Sequence, residues 1–367
     1  MKKIKVLHMF SSFTIGGAEK MTLLTGVSLQ KLSSEIEPVV AAPEESFLYV
    51  QAKENNVKVC DFNCRGSFTP TGVLRLIGII KKEKIDILHV HQGKLFWTAL
   101  LMKFFFKNIK VVLHRRQDTR HKFYAKWHYG IADMTLTVSR AVRDNLIKYE
   151  KVPDEKVKVL YNGFDFAKFS KDIYCDDVIE KYNLKNKTVI GTIAAMVSLE
   201  GKGQIYLMEA LAKLRNDYTD LRCVLVGDGA GKAEQEEYAK KLKVDDIVFF
   251  AGYQPDVAKY LKVMDIFCLL SCGTEGFGNV NLEAQSLGIP VITTKVGGNP
   301  ETVMDKQTGF VIEPRNTEQL MKTIKKLLDD KNYAVQMGLS GQKFVKETFS
   351  IEKMVENLTA VYKDVLK

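Results

Sequence analysis

Gly273-Thr-Glu-Gly-Phe-Gly-Asn-Val-Asn-Leu-Glu-Ala-Gln-Ser-Leu-Gly-Ile-Pro-Val-Ile-Thr293 sets the architecture of this chain. The apolar run before it, Ile266-Phe-Cys-Leu-Leu270, has the length and composition of a buried strand. Gly273, Gly276 and Gly278 mark a turn, Gly288 and Pro290 close a helical pattern, and Pro290-Val-Ile-Thr293 restarts a strand. The order strand, glycine-rich turn, helix, strand aims backbone N–H groups and the positive end of a helix dipole at an anion. Glu275 lies in the turn and Glu283 inside the helical pattern. Two helical turns span about 7 residues, so Glu283 returns to the helix face that looks over the turn. The pair is spaced to hold different hydroxyls of one extended polyol. Each part alone also has an ordinary reading, since glycine turns mostly shape the chain and a helical Glu mostly pairs with a neighbour or faces water.

Outward from this unit, 367 residues with 46% hydrophobic content leave room for two domains with full cores. Met1-Lys2-Lys3 leads into the short run Ile4-Lys-Val-Leu-His-Met9, so no leader peptide is expected. No apolar run reaches the roughly 20 residues of a spanning helix. The six cysteines are scattered, and the close pairs Cys60/Cys64 and Cys268/Cys272 lack zinc-like partners nearby, which suits reduced cytosolic thiols. The net charge of +10 is uneven, because residues 1–160 hold 27 Lys and Arg against 15 Asp and Glu. The first half is therefore expected to meet an acidic surface.

Strands are expected at 4–10, 38–42, 57–60, 86–90, 110–114, 134–138 and 157–160, with helices between them. That alternation predicts a doubly wound parallel sheet. Between the first strand and a helix from about Ala18 to Leu32 stand Gly16 and Gly17, which let a ligand approach the backbone or simply make a tight turn. They do not form G-x-G-x-x-G, so a nicotinamide cofactor is not expected. His89 and His91 share one face of a strand, and their spacing shows no third metal ligand. His114 ends the strand Lys110-Val-Val-Leu-His114, at the carboxyl edge where open α/β sheets bind ligands. Ser139 is a candidate helix N-cap, and the irregular, polar stretch from about 165 to Asn186 is placed as the linker.

Residues 94–128 interleave Lys94, Lys103, Lys107, Lys110, Arg115, Arg116, Arg120, Lys122 and Lys126 with Phe96, Trp97, Phe104, Phe105, Phe106, Phe123, Tyr124 and Trp127, against the single acid Asp118. The mixture suits an anionic membrane surface or a phosphate-bearing acceptor. It is equally what aromatic packing under a solvated cationic face would give. No nucleic-acid motif accompanies it.

The pattern Glu-Gly-Phe-Gly-Asn-Val-x-Leu-Glu-Ala-x-x-x-Gly-x-Pro-Val-Ile, with Gly297-Gly298-Asn299-Pro300-Glu301 after it, resembles the E-x7-E element of retaining, GT-B-fold glycosyltransferases of family 4. The likeness covers essentially the whole chain and is most specific at 273–301. It implies two facing Rossmann-like domains with a cleft between them, residues 1–165 and 166–350, and a last helix, 351–367, packed back on the first. Glu275 is then expected at the donor sugar, together with His114 as a second catalytic-site residue, and Glu283 at the ribose. Gly16, Gly17, Gly276, Phe277, Gly278, Asn279 and Val280 are expected to line the donor. Gly252, Tyr253 and Gln254 are expected near the nucleobase. Many relatives carry an Arg where this chain has Ala195-Met196-Val197, which leaves Lys202 as the main expected counter-charge to the diphosphate, with Arg115 or Arg116 as substitutes. Asn281, polar where many relatives are apolar, is a candidate selector of the sugar.

Glycosyl transfer needs the leaving diphosphate stabilised, the oxocarbenium-like centre positioned and an acceptor hydroxyl in line. No Asp-x-Asp occurs in the chain, so no metal is expected, and the nucleotide-diphosphate sugar is a co-substrate rather than a cofactor. The expected acceptor is a glycan or lipid-linked sugar of the cell envelope, and the expected location is cytoplasmic, on the inner face of the membrane. Two other functions share parts of the pattern. A nucleotide-sugar 2-epimerase of GT-B-like fold is disfavoured by the glycine–glutamate signature, and a non-catalytic carbohydrate-binding protein would not need a nucleotide cradle.

Overall fold

The structure, a computed structural model, describes residues 3–13, 16–64, 69–117, 125–166, 169 and 172–367. The chain divides into two compact units, Met1–Gly163 with Ile351–Lys367, and Phe164–Ser350. The first crossing thus falls two residues before the expected boundary. Gly163 stays with the first unit because its N–H reaches Met354 Sδ at 3.2 Å, whereas Phe164 is bridged to Ser350.

In the first unit β1 (Ile4–Met9), α1 (Gly17–Leu32), β2 (Ile36–Ala42), α2 (Phe47–Glu54), β3 (Lys58–Asp61), α3 (Pro70–Glu83) and β4 (Ile87–Val90) are followed by α4 (Phe96–Phe105), β5 (Lys110–Arg115), α5 (Ala125–Ile131), β6 (Met134–Thr137), α6 (Arg140–Glu150) and β7 (Val157–Val159). The strands form one parallel sheet in the order β3-β2-β1-β4-β5-β6-β7. A parallel sheet needs cover on both faces. One face packs Leu7, Leu88, Val90, Val111 and Leu113 against Leu76, Ile80, Phe96, Leu100 and Met102 of α3 and α4. Local signals set the helix ends: Thr69 accepts from Gly72 N–H ahead of Pro70, and Ser139 accepts from Val142 N–H, the cap expected of it.

The second unit holds α7 (Asp176–Lys181), β8 (Thr188–Ile193), α8 (Gln204–Leu214), β9 (Leu221–Val226), α9 (Lys232–Lys241), β10 (Val248–Gly252), α10 (Ala258–Lys262), β11 (Ile266–Leu269), α11 (Asn279–Ser286), β12 (Val291–Thr294), β13 (Gly309–Ile312), α12 (Thr317–Asp329) and α13 (Lys331–Thr348). Its parallel sheet runs β10-β9-β8-β11-β12-β13. The stretch read as linker is not all linker. It contains α7, and Val178, Tyr182 and Leu184 bury their side chains in the core of this unit. Polar α7 hides its two apolar residues, Val178 and Ile179, among Asp176, Asp177, Glu180 and Lys181, too short a period to register in the sequence.

The last helix, α14 (Ile351–Leu366), belongs to the first unit. Met354, Val355, Leu358, Val361, Tyr362 and Val365 recur at helical spacing and cover Val6, Ile87, Val112 and Leu136 on the second face of the first sheet. No helix among the described residues is long and apolar enough to cross a membrane.

Candidate active site

Polar chemistry gathers at the carboxyl edge of each sheet. In the second unit Gly203 has φ +83, and a Cβ there would stand 2.0 Å from the Leu270 carbonyl oxygen. Only glycine lets the loop after β8 lie against the end of β11. That approach delivers Lys202 to the turn, where its Nζ donates to Glu275 Oε2 at 2.9 Å and to the Thr274 carbonyl at 3.3 Å. Ser271 Oγ donates to the same Glu275 oxygen at 2.8 Å. The Glu275 backbone is held from the far side: Gly298 N–H donates to its carbonyl at 3.0 Å, and Gly297, with φ +51, leaves no space there for a Cβ. Lys202 is therefore not a lone counter-charge. Its ammonium is already matched by Glu275, because both side chains end on the same strand edge.

Beyond the turn, α11 starts on Gly278, an αL residue with φ +78 that brings no side chain of its own to the N-cap position. Asn279, Val280 and Glu283 share the half-exposed stripe of the helix, three and four residues apart, while Asn281, Leu282, Ala284 and Gln285 face inward. Two expectations change here. The Phe277 ring is buried edge-on against Phe349, so this residue offers a ligand only its backbone. Asn281 is fully buried and donates to Thr302 Oγ1 at 2.8 Å and Thr293 Oγ1 at 3.2 Å, an internal strut rather than a selector of sugars. Met196 is also buried in the core, so no side chain replaces the missing arginine at that point. At the end of β10, Tyr253 stands 68% exposed, and Gln254 turns back to donate to the Ala251 carbonyl. Lys232 lies beside Gly252, its Nζ 3.9 Å from where a Cβ would be, a cation the sequence did not single out.

In the first unit Gly16 is the N-cap of α1 and Gly17 its first residue. Glu19, buried in the first turn, would meet a Gly16 Cβ at 2.9 Å, so these amides already have a carboxylate beside them. Thr14 and Ile15 of the same loop lie outside the described residues. Register places His8 opposite His89 on neighbouring strands, and β5 adds His114. All three are buried, as is His91. His8 Nδ1 lies 3.0 Å from His91 Nε2, His89 Nε2 lies 3.2 Å from His114 Nδ1, and His89 Nδ1 lies 2.6 Å from the Tyr362 hydroxyl. Arg116 donates from Nη2 to His91 Nδ1 at 3.2 Å and from Nη1 to Asn162 Oδ1 at 3.1 Å. Burial lowers the pKa of His8 to about 3, moves those of His89, His91 and His114 well below the ordinary histidine value, and lowers that of Arg116 to about 10.

The family described as Glycosyltransferase Family 4 matches residues 15–168, and that described as Glycosyl transferases group 1 matches residues 176–344. A glycosyltransferase from Rickettsia africae superposes with a TM-score of 0.89 over 100% of both chains at 25% identity. The chain belongs to the GT-B-fold glycosyltransferases of family 4. Among curated relatives, an N-acetyl-alpha-D-glucosaminyl L-malate synthase of Bacillus anthracis is 28% identical over 80% of this chain and 78% of its own length. A UDP-Gal:alpha-D-GlcNAc-diphosphoundecaprenol alpha-1,3-galactosyltransferase of Escherichia coli is 27% identical over 99% and 98%.

In this glycosyltransferase the histidine strand His89–His91 does acquire a third partner, contrary to expectation, since ring nitrogens of His8, His89 and His91 lie within 4.8 Å of one another. Strand pairing supplies it from 81 residues away in sequence. All of their nitrogens but His8 Nε2 are nevertheless engaged, with one another, Tyr362, His114 or the Arg116 guanidinium. A dication there would meet a guanidinium, so the trio reads as a neutral hydrogen-bonded network. The basic stretch also divides. Lys103 pairs with Asp133 at 2.7 Å, Lys110 lies 3.8 Å from the same acid, and Arg115 is buried 3.8 Å from Glu150. Phe96 is buried and Phe106 packs on the core, whereas Phe104 is 82% and Phe105 58% exposed. Asp118, Arg120, Lys122, Phe123 and Tyr124 lie outside the described residues, as does the side chain of Lys126.

Proposed function

We propose that this glycosyltransferase moves a hexose, with retention of anomeric configuration and without a metal ion, from a nucleoside-diphosphate sugar to a glycan or lipid-linked acceptor of the cell envelope. The observation that carries the reading is the cluster of Lys202, Ser271 and Glu275 beside the start of α11. Glu275 has its backbone clamped and one oxygen held by two donors, which leaves its other oxygen to orient sugar hydroxyls. As the bond to the diphosphate breaks, negative charge develops on the leaving group. Lys202 and the α11 amides meet that charge. Glu283, Asn279 and Val280 line the same helix stripe for the ribose, and Gly252, Tyr253 and Gln254 stand at the next strand edge for the base. His114 is read as a further contact to the sugar. The lipid-diphosphate acceptor named for the Escherichia coli relative supports an envelope role.

A donor panel tests this. UDP-, GDP- and ADP-hexoses are incubated with the protein and an acceptor extract, with and without EDTA, and nucleotide release and the anomeric proton of the product are followed by NMR. One base is expected to be used, with retention, and at an undiminished rate in EDTA. Loss of turnover in EDTA with recovery on adding magnesium or manganese would overturn the metal-free step. Free 2-epimerised sugar would indicate the epimerase, and no nucleotide release a binding protein.

The membrane contact of this reading rests on the end of α4, where Phe104 and Phe105 are exposed next to exposed Lys107. Burying a Phe side chain contributes about 1.5–3 kcal/mol, more than the roughly 1 kcal/mol of each cation near an anionic surface. Because Lys103, Lys110 and Arg115 are engaged in ion pairs, the aromatic pair dominates. In co-sedimentation with anionic vesicles, Phe104→Ser with Phe105→Ser is expected to weaken binding by on the order of 10², with neutralisation of Lys107 costing less than tenfold. A wild-type protein that ignores anionic vesicles at low salt ends the membrane proposal.

A further inference from the structure

Two chains of hydrogen bonds leave the histidine network of the first unit, and each ends on a ring nitrogen that has no partner among the described residues: His8 Nε2 and His114 Nε2. What these nitrogens present depends on where the protons sit, and the geometry decides it. A guanidinium can only donate. Arg116 therefore makes His91 Nδ1 an acceptor, His91 carries its proton on Nε2, that proton is donated to His8 Nδ1, and His8 is left with N–H at Nε2. The second chain runs Tyr362, His89, His114, with the two imidazole planes within 9° of each other. Two arrangements satisfy its inner bonds. If Tyr362 donates, both imidazoles carry their protons on Nε2, and His114 presents an N–H. If Tyr362 accepts, both carry them on Nδ1, and His114 presents a lone pair.

The second arrangement strands the phenol proton. Tyr362 is fully buried, its one described hydrogen-bond partner is His89 Nδ1, and a buried hydroxyl without an acceptor disfavours a state about tenfold or more. Burial also raises the Tyr362 pKa, so the phenol keeps its proton.

We propose that Tyr362, acting through His89, is a positioning residue that holds His114 in the tautomer protonated at Nε2, so that His114 meets its substrate as a neutral hydrogen-bond donor to an oxygen and not as a base. This rests on the reading of His114 as a contact to the sugar. The ligand class follows: an acceptor-only or acceptor-capable oxygen, such as a sugar hydroxyl or a phosphate oxygen. Tyr362 lies on α14, the last element of the chain, which ties the chemistry of the site to a helix that touches none of the reacting groups.

The test is ¹⁵N NMR of the full-length protein with labelled histidine, which reads the protonated nitrogen of each ring directly, alongside transfer kinetics. In the wild type His89 and His114 are expected as Nε2–H neutral rings. A His114 found protonated at Nδ1 would overturn the proposal without any variant being made. Tyr362→Phe keeps the ring that packs in the core and removes only the donor. His114 should then populate the other tautomer, and turnover should fall about tenfold, with the donor KM changed less than twofold. An unaltered His114 tautomer in folded Tyr362→Phe would remove Tyr362 from its role. Should Tyr362→Phe fail to fold, His89→Gln serves, expected to release the His114 tautomer in the same way. Failure of the underlying site reading is separate: His114→Ala would transfer sugar at the wild-type rate whatever the tautomer.

Discussion

Glu275→Ala is expected to lower the turnover of transfer by a factor on the order of 10² or more, equivalent to about 2.7 kcal/mol of lost transition-state stabilisation. The carboxylate it removes is held by Lys202 Nζ at 2.9 Å and Ser271 Oγ at 2.8 Å, on a backbone locked by Gly297 and Gly298. A group so pre-oriented acts mainly on positioning, and its loss should appear in kcat. The donor KM should stay level or fall, because Lys202 is released from its partner and becomes fully available to the diphosphate. Lys202→Ala should do the reverse and raise the donor KM, and Glu283→Ala should likewise act through donor affinity. Stability will barely register the change, since a half-exposed ion pair contributes at most about 1 kcal/mol. Steady-state kinetics on a protein with unchanged circular dichroism decides the matter. Wild-type turnover by such a Glu275→Ala protein would defeat the assignment.

Acid is expected to unfold the first unit before the second. His8, His89, His91 and His114 are held neutral inside it, faced by Arg116 from the end of β5, Tyr362 from α14 and Glu19 from α1. Unfolded, each would titrate near 6.5, whereas folded each stays unprotonated far below that, down to about 3 for His8. Below 6.5 the unfolded chain binds protons that the folded chain refuses. Stability is therefore intact above the unfolded value and is lost progressively as pH falls from about 6.5 toward the folded values. Four such groups remove roughly 5 kcal/mol between pH 7 and 5.5, a large share of the 5–15 kcal/mol of an ordinary domain. Both tryptophans, Trp97 and Trp127, lie in the first unit, so their fluorescence reports on it alone. Its melting temperature should drop steeply between pH 6.5 and 5.5, and His8→Gln should flatten the slope by about a quarter. A fluorescence melt indifferent to pH over that range would show that the histidines are not buried as neutral groups.

Much of this fold was legible because its parts are local. The strand, glycine turn and helix around residue 275 announce themselves by composition, and Ser139 caps its helix as any Ser before an apolar period would. What escaped notice was set by contacts across the sheet. His8 looked like one more residue of an apolar strand until β4 came to lie beside it. Lys202 and Glu275 were both singled out, but as separate contacts to a ligand, and only the close packing of Gly203 on Leu270 reveals that they neutralise each other. Phe277 and Asn281 sit in a glycine-rich signature, yet the Phe277 ring in the turn packs on Phe349 and Asn281 lies on the inward side of α11. The cations of 94–128 were counted as a surface, whereas Asp133 and Glu150, outside that window, had already engaged Lys103 and Arg115.

The placement of α14 has a consequence for how the molecule is made. The face of the first sheet formed by Val6, Ile87, Val112 and Leu136 packs against residues from Met354 to Val365, with Leu29 of α1 beside them. During synthesis that face is finished early and must wait while the whole of Phe164–Ser350 is translated, on the order of 10–40 s at typical ribosome speeds. The second unit, being continuous, can fold as it emerges, so the half of the protein made first is completed last. A ribosome that stalls short of Ile351 releases a chain whose second unit is whole and whose first unit displays a sticky apolar wall, a substrate for chaperones and proteases.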